Sequence, residues 1–293
     1  MAVPVILNPA ARSSRARALE QHIRTLSPAP EVHITQQPGD AERLAFELAS
    51  QGHKIVTAAG GDGTVNEVIH GIAKFNATVS DCAKHAALGV LPAGTMNVFA
   101  HEIGLPGRDL EACWKRIQNG ARRAVDLWQA NDLFFAQLAG VGFDAEVVEA
   151  TTSEMKQRLG PISYALAGLR VLSRQAPVIT VHIDGRPPIP GALVLIGNGQ
   201  HYGGPVPVFP NAKNDDGLLD LIIFHERRSW EVLQLLHSIT TGNYDLCGDL
   251  DVLQAASFRV ESEHRVPFEI DGELGQSTPV EFKAAPFKLN VAA

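Results

Sequence analysis

The chain has 293 residues, 45% of them hydrophobic and 19% charged, and a formal net charge of -7. That is apolar material for two globular domains, and the negative balance excludes the positive field that holds a nucleic-acid backbone. Three cysteines, Cys82, Cys113 and Cys247, stand far apart with no CxxC pair, which excludes a disulfide framework or thiolate metal site and fits a reducing cytoplasm.

Short β-rich runs alternate with helical patterns through the first part of the chain. Residues 3–9 (VPVILNP) predict a strand, 13–26 a helix and 31–35 a second strand. The helical pattern returns over 40–52, where Leu44, Ala45, Leu48 and Ala49 share one face. Strand 54–58, a glycine turn, helix 65–74, strand 87–92, a second turn and helix 110–119 follow. Strands separated by helices imply an open parallel α/β sheet, and such sheets bind ligands beyond the carboxyl ends of their strands. After Asp126 the texture changes to short β runs broken by Gly, Pro and Asp, from DLFFAQLAGVGF to PVEFKAAPFKLNVAA, as in an antiparallel β-sandwich. Helical insertions are expected over 145–174 and 229–241. The expected domains are 1–127, α/β and nucleotide-binding, and 128–293, a β-sandwich, with a return of the last strand to the first domain left open.

The first turn, Gly60-Gly61-Asp62-Gly63-Thr64, combines bare backbone with the start of a helix. Its glycines let main chain approach a ligand closely, and the amides of the following helix would face an anion. A carboxylate repels phosphate unless a cation or donor hydroxyl stands between them, so Asp62 points to metal-assisted nucleotide chemistry. The other reading is an ordinary strand-to-helix turn capped by Asp62 or Thr64. LPAGTMN repeats the arrangement one sheet position later, where Gly94, Thr95 and Asn97 could supply donors or cap a helix. Asn8-Pro9-Ala10 and the stretch from Thr35 to Ala41 also end strands, so four turns are expected on one edge.

GGDGTVNEV followed by LPAGTMNVFA, the leading NP turn, YGGPVPVFPNAKNDDGLLDLIIF and FEIDGE together resemble the diacylglycerol kinase catalytic-domain family. The branch resembled is that of soluble bacterial lipid kinases, which is similar to sphingosine and ceramide kinases. The resemblance implies ATP in an interdomain cleft, contacted by Asn8, Thr35, the loop containing Gly60, Gly61, Asp62, Gly63, Thr64 and Asn66, and then Gly94 and Thr95. It implies that Asp62 holds catalytic Mg2+ with Asp126 nearby, that Asp271 is the general base, and that Glu273 supports it. A separate structural Mg2+ is implied at the Asp216 carboxylate and the carbonyls of Lys213 and Leu218. The implied acceptor is a lipid hydroxyl at a membrane surface. Diacylglycerol, monoacylglycerol, phosphatidylglycerol and sphingoid bases all stay open, as do monomer and homodimer.

Phosphoryl transfer independently asks for a cradle, a metal-binding carboxylate and an acceptor-side base. From spacing alone, however, Asp271-Gly272 reads first as a hairpin turn, as Asp184-Gly185 does, and the resemblance reverses that preference for Asp271. Two departures from the resembled pattern stand out. Val98 occupies a position where the family's turn more often carries an acid, and NPAARSS lacks the usual glycine, leaving Arg12 or Ser13 to meet phosphate. Val98 motivates one alternative, a catalytically weak nucleotide- or lipid-binding regulator; the other is a soluble-substrate kinase of NAD kinase type, a group that shares GGDGT. Residues 140–145 match GxGxxA without the distal acid of a dinucleotide site, and are expected to form a β-to-helix turn. Arg108, Lys115, Arg116, Arg122 and Arg123 read as a solvated basic helix face, and SWEVLQLLHSI as a core-facing helix. The first residues lack the layout of a secretory leader, and no apolar run reaches the roughly 20 residues that span a bilayer. The expected location is therefore cytoplasmic, with any membrane contact peripheral.

Overall fold

The computed structural model describes residues 2–9, 14–142, 177–201, 207–225 and 250–292. The expected helices at 145–174 and 229–241, together with Arg12, Ser13, Cys247 and SWEVLQLLHSI, lie outside the described residues. The chain divides into two compact units, one formed by 1–127 with 285–293 and the other by 128–284.

The first unit is an α/β layer structure. Strands β1 (Pro4–Leu7), β2 (Glu31–Ile34), β3 (Ile55–Gly60) and β4 (Ala87–Pro92) alternate with helices α1 (Ser14–Arg24), α2 (Asp40–Ser50) and α3 (Asp62–Ala77). After β4 come the short helix α4 (Val98–Glu102), helix α5 (Leu110–Asn119) and strand β5 (Arg123–Val125). β1, β3 and β4 are buried along their lengths or nearly so, as expected for parallel strands covered on both faces. α2 turns Ala41, Ala45, Leu48 and Ala49 inward, and α3 packs against it so closely that a Cβ on Gly71 would meet the Glu42 carbonyl oxygen at 2.2 Å.

The sheet order is β2-β1-β3-β4-β18-β5, where β18 is Leu289–Ala292. β18 pairs in parallel with β4 and antiparallel with β5, and Leu289, Val291 and Ala292 are fully buried there. The stretch PVEFKAAPFKLNVAA is therefore not one β run. It is split between β17 (Val280–Ala284) in the second unit and β18 in the first.

Among the described residues the second unit forms two six-stranded sheets. One runs β10 (Ile189–Gly191), β9 (Ile179–His182), β14 (Ser257–Glu261), β17, β6 (Trp128–Ala130) and β7 (Leu133–Phe135). The other runs β13 (Leu250–Ala255), β12 (Leu219–Phe224), β11 (Leu193–Gly197), β8 (Leu138–Gly142), β15 (Pro267–Ile270) and β16 (Glu273–Ser277). All pairings within these two sheets are antiparallel, and one shared core holds Trp128, Phe135, Val141, Ile196, Leu221, Phe268 and Phe282. Phe282 sits at its centre, stacked on Phe258 at 4.8 Å and edge-on to Phe135 and Phe268. Gly140 lies in β8 and Gly142 ends it with φ 99°, while residues 143–145 of the GxGxxA match lie outside the described residues.

Candidate active site

The glycine motif divides between strand and helix. β3 runs on through Gly60, Gly61 is the N-cap, and Asp62, Gly63 and Thr64 already belong to the first turn of α3. The helix begins three residues earlier than its apolar pattern suggests, because an acid at the first helical position is favoured by the exposed amides there. Gly60 has to be bare, since a Cβ on it would stand 2.5 Å from the Thr64 hydroxyl. That hydroxyl accepts a hydrogen bond from Asn8 Nδ2 at 3.1 Å, which ties the end of β1 to the start of α3. Thr35 is buried just past β2, its N–H donating to the Leu7 carbonyl at 3.0 Å.

The two glycine turns touch. A Cβ on Gly94 would lie 2.4 Å from the Gly61 Cα, and the Ala93 N–H donates to the Gly60 carbonyl at 2.9 Å. Asn97 closes the second turn. It adopts φ 50°, its Oδ1 accepts from Gly94 N–H at 2.9 Å, and its Nδ2 donates to the Gly94 carbonyl at 3.0 Å. Thr95 and Gly63 are exposed on this edge and Asn66 is buried behind it. Asp62 reaches across to the second turn, where Oδ1 accepts from the Phe99 N–H at 3.4 Å. Burial pushes its carboxyl above the ordinary carboxylate range, and the amides of Phe99, Val98 and Asn97 work against that rise.

Other expected members lie in different settings. Asp126 is 4% exposed and its Oδ1 meets the Lys288 ammonium at 2.7 Å, so a cation carried by the C-terminal segment already faces it. Val98 is buried and apolar. In the turn after Thr35 the Gln36 and Gln37 amides are taken up by Asp40 Oδ2 at 2.8 and 3.2 Å. Arg108, read from sequence as part of a solvated face, is exposed and also places a guanidinium on the Gly94 carbonyl at 3.2 Å. Its signal was hidden among neighbouring basic residues.

In the second unit Asp271 and Gly272 form the two-residue turn between β15 and β16, with φ 51° and 81°. Both positive values fit a type I′ hairpin turn. The turn also aims a carboxylate. Asp271 Oδ2 accepts from the Ala136 N–H, and Oδ1 accepts from the Gln137 and Leu138 N–H groups, all at 2.9 Å. Glu273 is exposed at the start of β16. Glu269, absent from the sequence reading, is fully buried and its Oε2 accepts from Gly272 N–H at 2.8 Å, bracing the turn.

The Asp216 turn suits a cation in part. Asp216 Oδ1 accepts from Leu218 N–H at 3.1 Å, Gly217 adopts φ 77°, and Lys213 and Asp216 are exposed. On β12, Asp220 Oδ1 accepts from Gln254 Nε2 at 3.1 Å, while Oδ2 is buried without a hydrogen-bond partner among the described residues. Burial first, and then the Asp216 charge, push the Asp220 carboxyl up. Two carboxylates repelling each other, one with an unused oxygen, are a donor set that a hard cation relieves. Among the described residues no group of three or more His, Cys, Asp or Glu side chains forms a metal cage, so such an ion would need carbonyl or water oxygens as well. No helix among the described residues is long and apolar enough to cross a membrane.

Residues 2–130 match the diacylglycerol kinase catalytic domain, and residues 138–293 match the YegS C-terminal NAD kinase beta sandwich-like domain. A protein of Chromohalobacter salexigens described as "Probable lipid kinase YegS-like" is 37% identical over 246 residues, 83% of this chain and 76% of its own. A diacylglycerol kinase of Bacillus subtilis is 30% identical over 254 residues, 86% of this chain and 81% of its own. The crystal structure of a diacylglycerol kinase from Bacillus anthracis superposes with a TM-score of 0.78 at 26% identity, covering 99% of this chain and 96% of that one. With paired glycine turns on a parallel sheet and a second, antiparallel domain, the chain belongs to the diacylglycerol kinase catalytic-domain family.

Proposed function

We propose that this protein transfers the γ-phosphoryl group of ATP to a lipid hydroxyl. The observation that carries the reading is the contact between Gly61 and Gly94, which joins two strand-end turns into one bare backbone surface with the Asp62 carboxylate beside it. Such a surface suits a polyphosphate because helix-terminal amides face it and no Cβ intrudes. Asn8, through Thr64, and Asn97, through Gly94, hold it rigid, so little reorganisation accompanies binding. The Arg108 guanidinium, with one donor on the Gly94 carbonyl, adds positive charge to the same turn.

Asp62 would hold Mg2+, whose contribution when bound is to offset charge on the transferring phosphoryl group. In the transfer the lipid oxygen bonds to the γ-phosphorus, the bond from that phosphorus to the β,γ-bridging oxygen breaks, and the hydroxyl proton goes to Asp271. The three amides on the Asp271 carboxylate fix its direction and support its ionised form. Glu273 sits next to the same turn. The names of the relatives, lipid kinase and diacylglycerol kinase, support a lipid as acceptor.

The test is incubation of the purified protein with γ-labelled ATP, Mg2+ and vesicles of phosphatidylglycerol, phosphatidylethanolamine and dioleoylglycerol, followed by identification of labelled lipid. Asp271→Asn should reduce turnover about 10²- to 10⁴-fold while ATP binding persists. Buried Val98 and the Lys288–Asp126 pair favour the second reading, a nucleotide-binding regulator with weak catalysis. ATP binding with no labelled product from any lipid would select it.

A further inference from the structure

The segment whose amides hold Asp271 is itself gripped from the opposite side. Asn198, the residue after β11, is fully buried and lies 73 positions before Asp271 in sequence, with no recognisable motif around it. Its Oδ1 accepts from Trp128 Nε1 at 2.7 Å, and its Nδ2 donates to the Ala136 carbonyl at 2.7 Å. Its own N–H donates to the Gln137 carbonyl at 2.8 Å. Ala136 and Gln137 are two of the three residues whose N–H groups bind the Asp271 carboxylate. The same two peptides are thus held through their carbonyls by Asn198 and through their amides by Asp271.

Resting on the reading that Asp271 accepts the hydroxyl proton, we infer that Asn198 is a positioning residue for that carboxylate. It sets the height and tilt of residues 136–138, and through their N–H groups the direction of Asp271. The amide side chain suits the task because it alone combines an acceptor for the Trp128 N–H with a donor for a carbonyl at this length. Aspartate would present a second acceptor to the Ala136 carbonyl, and alanine would leave both buried partners unpaired. Trp128, also fully buried, is the far end of the chain of bonds and keeps the Asn198 amide from turning over.

The test compares Asn198→Asp, Asn198→Ala and Trp128→Phe with the parent protein, using labelled ATP and the same three-lipid vesicles, with melting temperature and ATP affinity measured beside kcat and KM. Outer residues that orient a reacting group typically cost about 10- to 100-fold when removed. The Asn198 variants should lose kcat by about that factor, and Trp128→Phe by about threefold to tenfold, while KM and Kd for ATP stay within about twofold. A purely architectural role would instead reduce folded protein and leave kcat per folded molecule at the parent value, and that result overturns the inference. Should neither Asn198 variant fold, Trp128→Phe decides by the same criteria. Asp271→Asn separates the two levels. If it retains turnover, the proton-acceptor reading fails; if it abolishes turnover while the other variants keep kcat, only the Asn198 inference fails.

Discussion

Asp62 is held in conflict with its surroundings: burial disfavours its charge, while the amides of Phe99, Val98 and Asn97 favour it. Its folded-state pKa lies above the ordinary 3.8, so the folded protein binds this proton more tightly than the unfolded chain. Stability from this group is therefore full below about pH 3.8 and declines as pH rises through the raised value. Asp62→Asn should melt higher than the parent at pH 7 without nucleotide or metal, lose that advantage near pH 4, and show no phosphoryl transfer; paired melting curves and the labelled-ATP assay check this. Glu42 behaves oppositely. The His70 ring, whose Nδ1 stands 3.8 Å from Oε2, and the Lys74 ammonium pull its carboxyl from 4.5 down to about 2. The stabilisation is present above pH 4.5 and disappears as pH falls toward 2. Glu42→Gln should thus cost about 0.5–1 kcal/mol at pH 7 and nothing near pH 2, read from urea unfolding across pH. Asp62 was legible in sequence because an acid among glycines is chemically odd. Arg108 and Asn198 were not, because they act through contacts 14 to 70 residues away that no local pattern encodes, and Glu269 was not, because nothing in its residue type marks it as buried against the turn.

Two glycine contacts separate the site from the scaffold at the level of elements. In Gly94→Ala the new methyl would press on the Gly61 Cα at 2.4 Å, backbone against backbone, and the two turns would have to part. ATP affinity should fall at least tenfold, with a stability loss of about 1–3 kcal/mol. Gly71→Ala would force α2 and α3 apart at the Glu42 carbonyl, 2.2 Å from the added Cβ, with a similar loss of stability. Its ATP affinity, measured by calorimetry on the folded protein, should remain at the parent value, because no residue of the turns is in that contact. The β-α alternation, the two turns and the α5 boundaries could be read from sequence, since period and capping are local properties. The start of α3 was missed by three residues, because the apolar stripe begins at Val65 whereas the first helical residues, Asp62 to Thr64, carry no large apolar side chain. The Asp-Gly pair marks a hairpin turn by its residue types, but the reach of the Asp271 carboxylate to residues 136–138, more than 130 positions away, is a tertiary fact.

For the molecule as a whole, the decisive feature is that the first unit is not continuous in sequence. LNVA is too short and too ordinary to reveal which sheet it joins, and nothing near it marks a departure from the β runs before it. Deleting residues 285–293 should strip β4 and β5 of their common neighbour, expose Leu88 and Val125, and leave the Asp126 carboxylate without Lys288. A fragment of residues 2–127 is expected to aggregate, whereas the same fragment preceded by 285–292 through a short linker should be monomeric and bind ATP. Size-exclusion chromatography and calorimetry on the two fragments decide. The order of synthesis follows from the same topology. As the ribosome extrudes the polypeptide, the parallel sheet of the first unit stays gapped between β4 and β5 until every residue of the antiparallel domain has emerged. A nascent chain stalled anywhere before position 289 would thus leave the facing edges of β4 and β5 unpaired, a template open to strands of other chains.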